Sequence, residues 1–242
     1  PQKADFTFYG GIYRDVSLLV VNKNHIALGH FGDTGVKITP ALKEGSADIQ
    51  VETLVEGEGT VAVELLDAEG NLVAKGESEN ASLHLDAPHL WNGVKDPYLY
   101  TCVVRLMQDG KPVDEVTTKV GLRSFSVDAK KGFFLNGKHY PLHGVSRHQD
   151  RKGLGNAITR EMHDEDMALI REMGANTVRL AHYQHDQYFY DLCDRYGMVA
   201  WAEIPYISEH LPNGRENTIS QMKELIHQNY NHPSIVCWGV SN

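Results

Sequence analysis

Polar side chains able to do chemistry recur at intervals along the second half of the 242-residue sequence: Arg147 and His148, His182 and Tyr183, Glu203, and Asn242. Guanidinium, imidazole, phenol, carboxylate and amide together can bind a hydroxylated ligand, move protons and hold a neighbouring charge. The thirteen histidines raise a metal reading, above all His182 with His185, yet there is no H-E-x-x-H and no Cys/His set at zinc spacing. No metal site is assigned. Trp201 and Trp238 could stack on an apolar ligand face, but buried packing is the reading for both.

The elements that must position these residues change character near Lys130. Up to about residue 128 there are short alternating or β-rich runs, at 16–21, 47–55, 60–66, 98–107 and 113–122, parted by Glu56-Gly57, Glu69-Gly70 and Asp109-Gly110. About seven strands at this spacing predict a β-sandwich of immunoglobulin size over 34–125. Residues before 30 read as strands of a preceding β domain. Beyond Lys130, apolar 140–145 leads to a helix over 161–173, with Met167, Ile170 and Met173 on one face and Gly174 to end it. A strand at 176–181, a helix over 186–196 closed by Gly197, a strand at 198–204, a helix over 218–230 with Ile219, Met222, Leu225 and Ile226 inward, and a strand at 234–240 complete the alternation. This predicts a parallel sheet of four strands with the polar residues at strand ends. A barrel places chemistry there. A doubly wound nucleotide binder would need a G-x-G-x-x-G turn after the first strand, which residues 148–156 lack.

Composition narrows the partners. The net charge is -9, without a basic run, so neither nucleic acid nor an anionic membrane is expected. The apolar run at 16–21 is far short of the roughly 20 residues that span a bilayer. Three cysteines, Cys102, Cys193 and Cys237, lack C-x-x-C spacing and read as reduced core thiols. The sequence opens on Pro1, so it reads as a piece of a longer protein, which by itself says nothing of compartment; a cytoplasmic location is the expectation.

Four motifs resemble glycoside hydrolase family two, the β-galactosidase and β-glucuronidase type: Gly10-Gly11-Ile12-Tyr13-Arg14-Asp15-Val16, His143-Gly144-Val145-Ser146-Arg147-His148-Gln149-Asp150, Asn176-Thr177-Val178-Arg179-Leu180-Ala181-His182-Tyr183, and Asn231-His232-Pro233 continuing to Ser241-Asn242. They occur in the family's order. Leu180 and Gln184 stand where the third motif usually has a small residue and Pro, and Tyr230 where the fourth usually has a basic residue, which blurs the subfamily. The resemblance implies a multidomain β plus α/β chain. Residues 1–33 would be the last strands of a jelly-roll sugar-binding domain, 34–125 the immunoglobulin-like sandwich, and 126–242 the first half, four β/α units, of a TIM (β/α)8 barrel.

The implied activity is retaining exo-hydrolysis of terminal β-glycosides by two carboxylates about 5 Å apart. The acid/base would follow Asn242 directly and the nucleophile would lie farther on, so no catalytic residue is assigned within these 242 positions and this stretch alone is expected to be inactive. Glu203 and Glu209 lack motif support as substitutes. By the resemblance Asn242, His148, His182 and Asp5 would bind substrate, Arg179 would hold the nucleophile, and Glu203 would orient its neighbours. Family members can hold magnesium just past the third strand, where Ile207 and Glu209 stand here. No cofactor is assigned; Mg2+ or Na+ and a homo-oligomeric state remain open for the parent protein. A β-galactoside is the expected substrate, from Arg147-His148 and residues 192–197. A β-glucuronide is the alternative, and a non-catalytic carbohydrate-binding or interaction module is the alternative of another class.

Overall fold

The structure, a computed structural model, describes residues 6–242, so the expectation for Asp5 lies outside the described residues. The chain forms two compact units. One comprises Leu19–Pro141 with His227–Pro233; the other comprises the described residues up to Leu18 with Leu142–Ile226 and Ser234–Asn242.

The first unit begins with a short strand, β1 (His25–Ile26), and continues through β2 (Val36–Lys43), β3 (Ser46–Thr53), β4 (Val55–Glu56), β5 (Thr60–Leu66), β6 (Leu72–Glu77), β7 (Asn80–Asp86), β8 (Tyr100–Gln108) and β9 (Lys111–Val120). Two larger antiparallel sheets result, in the orders β2-β3-β7 and β6-β5-β8-β9, and β1 pairs with β4 in a two-stranded one. Strict alternation explains the packing: Ala47, Ile49 and Val51 of β3, Val61, Val63 and Leu65 of β5, and Cys102, Val104 and Leu106 of β8 all point into one core. Burial pushes the Cys102 thiol up to about 12, as befits a packing residue. A small three-stranded sheet follows, β10 (Phe125–Asp128), β11 (Gly132–Leu135) and β12 (Lys138–His139). Phe133-Phe134-Leu135 and the Asn136-Gly137 turn that mark its second hairpin lie outside the runs read from the sequence.

The strand expected at 16–21 is absent. Val16, Leu18 and Val20 are exposed and no ladder includes them. β-propensity alone does not make a strand, because its N–H and C=O groups need a partner ladder.

The second unit is the alternating one: β13 (Gly144–Arg147), α1 (Arg160–Glu172), β14 (Thr177–Leu180), α2 (Gln187–Tyr196), β15 (Val199–Glu203), α3 (Arg215–Asn229) and β16 (Ile235–Gly239). The sheet is parallel throughout in the order β13-β14-β15-β16. Sequential order alone fits a barrel, and the helices strengthen that reading. Met167 and Ile170 of α1, Phe189, Tyr190, Leu192 and Cys193 of α2, and Leu225 of α3 share one core with Val178, Leu180, Ala200 and Ala202. All three helices therefore cover one face of the sheet, whereas a doubly wound fold covers both. The other face carries the cross-strand row Ser146, Arg179, Trp201 and Cys237.

Several side chains depart from expectation. Met173 and Ile219 are exposed, and Trp201 is 43% exposed because it lies on the face away from the helices. His163 takes the place expected of Met173, four residues before Met167 on the buried stripe of α1. The first parallel strand is Gly144–Arg147, so Arg147 is its last residue. Val145 and Arg147 alternate toward the helices, and Arg147 is 6% exposed. Gly144 allows β13 to approach β14: a Cβ there would lie 2.1 Å from the Thr177 carbonyl oxygen.

Candidate active site

The carboxyl ends of β14 and β15 bring three of the expected residues together. Arg179 alternates with Val178 and Leu180, so it faces away from the helices, and its Nε donates to Glu203 Oε1 at 2.5 Å. His182, two residues beyond β14, places Nδ1 2.8 Å from Glu203 Oε2. Glu203 is 1% exposed and has both carboxylate oxygens engaged. A carboxylate only accepts, so His182 donates from Nδ1 and leaves Nε2 for a ligand. Arg179 Nη2 also lies 3.4 Å from the same Nδ1, but that approach joins two donors and is no bond.

Asn242 completes the group. Its side-chain oxygen accepts from Arg179 Nη2 at 2.9 Å, and its backbone N–H donates to Tyr206 O at 3.0 Å. Because arginine can only donate, the amide oxygen must face it, leaving the NH2 as the group a hydroxyl would meet. Around this network stands a wall of rings. His148 packs edge-on against His182 at 5.3 Å between centroids and tilted against Phe6 at 4.8 Å. Tyr183 Oη lies 3.3 Å from His148 Nδ1 and accepts from the Gln149 backbone N–H at 3.2 Å. Such a site offers aromatic faces beside directed donors and acceptors.

Arg147 lies outside this wall. It donates to Asp166 Oδ2 through Nε at 3.0 Å and Nη2 at 2.6 Å. Nη1 donates to His185 Nδ1 and Nη2 to His163 Nδ1, each at 3.0 Å, and the guanidinium stacks over Phe189 at 3.8 Å. Both imidazoles must accept, so both are neutral. Burial, then the Arg147 charge, pushes His163 down to about 4 and His185 well below its ordinary value. Burial also lowers Arg147 itself, against the pull of Asp166.

Sequence reasoning missed Asp166, His163 and Phe6, and weighed His185 only as a metal ligand beside His182 rather than as a partner of Arg147. The helical spacing of His163, Asp166, Met167 and Ile170 at i, i+3, i+4 and i+7 carries the signal for the first two; apolar residues alone were counted. Of the magnesium-matching positions, Ile207 is buried at 4% and has no ligand atom. Among the described residues, no helix is long and apolar enough to cross a membrane.

Parallel strands wrapped on one side by their helices, with polar side chains joined at the strand ends, define the barrel class of fold. Residues 126–242 match the sequence profile of "Glycosyl hydrolases family 2, TIM barrel domain", and 30–123 match that of "Glycosyl hydrolases family 2". The chain belongs to glycosyl hydrolases family 2. It is 43% identical to a β-glucuronidase of Bacteroides fragilis, over 100% of this chain and 38% of that protein. Among solved structures it resembles an FMN-binding β-glucuronidase from Facaelibacterium prausnitzii, with a TM-score of 0.95 and 44% identity over 100% of this chain and 39% of that one. A putative β-galactosidase from Bacteroides fragilis matches with a TM-score of 0.88 and 42% identity, over 92% of this chain and 36% of that one. The chain thus spans less than two fifths of the length of each of these relatives.

Proposed function

We propose that the full-length protein is a retaining exo-β-glycosidase and that this chain supplies one side of its sugar pocket. The observation that carries the reading is the network in which Glu203 holds Arg179 and His182 while Arg179 holds Asn242. In it Asn242 donates to the sugar's 2-hydroxyl, a contact that strengthens toward an oxocarbenium-like transition state. His182 and His148 face the remaining hydroxyls. Arg179, the central cation, keeps the nucleophile charged, and Glu203 keeps Arg179 and His182 in place. The acid/base is the residue after Asn242, and the nucleophile comes from a later strand.

For the sugar, a β-glucuronide is the first choice, because relatives at 43% and 44% identity carry that name. The β-galactoside expected from Arg147-His148 and residues 192–197 ranks below it. It stands as the second reading on the 42% identical putative β-galactosidase. Comparing kcat/KM of the full-length protein on aryl β-glucuronide and aryl β-galactoside decides between them, and preference for the galactoside would overturn the first choice. Binding of either sugar without hydrolysis would favour the non-catalytic module.

A further inference from the structure

His185 is fully buried and satisfies two partners at once. Its Nδ1 accepts from Arg147 Nη1, and its Nε2 lies 3.0 Å from the Ala181 carbonyl oxygen, to which it must donate. The backbone N–H of His185 donates to Tyr190 Oη at 3.2 Å, so the ring has little freedom to shift. Arg147 is fixed in turn by Asp166, which also accepts from Arg151 Nη2 at 2.9 Å. The carbonyl at the end of this series belongs to the peptide plane shared by Ala181 and His182. Fixing the oxygen of a planar peptide fixes the direction in which the next residue leaves it. An apolar side chain at position 185 would fill the space and leave Arg147 Nη1 and the Ala181 carbonyl each short of a buried partner.

We propose that His185 is a positioning residue for His182: it passes the fixed orientation of Arg147 to the Ala181 carbonyl and so sets the line along which His182 meets Glu203. This rests on the reading above that His182 contacts the sugar. Outer partners of this kind hold binding groups within the few tenths of an ångström that productive geometry needs.

The full-length protein provides the test, assayed on aryl β-glucuronide and aryl β-galactoside. His185→Phe keeps the ring and removes both polar atoms; kcat/KM on the preferred substrate should fall about 10- to 100-fold. His185→Gln, whose amide presents an acceptor and a donor, should recover to within about threefold of wild type. In a His182→Ala background His185→Phe should cost less than about twofold more, because its effect runs through the missing ring. Losses that multiply in the double variant, or a Gln variant as impaired as Phe, would overturn the proposal. Should the Phe variant fail to melt cooperatively, His185→Asn replaces it in the same cycle, since Asn retains an acceptor for Arg147 but is too short to reach Ala181. A crystal structure of His185→Asn gives a readout independent of turnover: the His182–Glu203 contact should open beyond hydrogen-bond reach, and an unmoved contact would overturn the proposal. A wild-type protein inactive on both substrates would instead sink the functional reading, with the structural test still deciding the role of His185.

Discussion

Glu203 is buried beneath two donors, and its substitution separates its role from that of an acid catalyst. Glu203→Gln keeps one acceptor but turns an NH2 toward either Arg179 Nε or His182 Nδ1, both of which donate. Losing one hydrogen bond to a charged group, about 1.5–3 kcal/mol, predicts roughly a 10- to 100-fold drop in kcat/KM of the full-length protein. A loss of many further orders of magnitude would place Glu203 in the chemistry itself. Acid stability tests the second cluster. An unfolded imidazole binds its proton near the ordinary 6.5, while His163 in the fold does so only near 4. Between those values the unfolded chain holds more protons, so this contribution is complete above about pH 6.5 and is lost as pH falls toward 4. The melting temperature should decline across that window, and His163→Gln, which keeps an acceptor for Arg147, should decline less steeply. Equal slopes would contradict the neutral, buried assignment. The sequence pointed to Arg179, His182 and Glu203 because they recur where strands end. It hid His163 and Asp166 because a polar residue on a buried helical stripe looks like a solvated one until its partner is known.

At the level of elements, the parallel half was legible because apolar runs alternate with helical spacing and the first two helices have a visible stop. Gly197 adopts φ 73° at the end of α2, and Asp186 accepts from the Tyr188 N–H at its start. Asp186→Ala should cost about 1 kcal/mol in a denaturant titration, and no measurable cost would argue against the cap. The first strand was misplaced by several residues, since apolar 140–142 precedes the point where Gly144 lets the backbones meet. Gly144→Ala should therefore destabilise by about 1–3 kcal/mol or more, as overpacking against an immovable carbonyl does. A neutral result would mean that β13 and β14 can separate freely. In the β-rich unit, β3, β5, β7 and β8 announce themselves by alternation, whereas β6 does not. Pairing with β5 makes it a strand.

Across the whole molecule, the family was legible in four ordered motifs, while the sugar was not. Substrate preference depends on side chains that approach the pocket from several strands, and no single motif encodes that set. What this chain does carry is the contact surface built on Arg179, and its outermost member offers a direct probe. Asn242 turns its oxygen to Arg179, and in the proposed reading its NH2 meets the substrate. The decisive measurement is kcat/KM of the full-length protein and its Asn242→Ala variant, each on an aryl β-glycoside and on the 2-deoxy analogue of the same glycoside. If the strand ends bind the sugar as proposed, the preference for the 2-hydroxyl should shrink by about 10-fold or more in the variant. An Asn242→Ala variant that loses activity equally on both substrates would contradict the account.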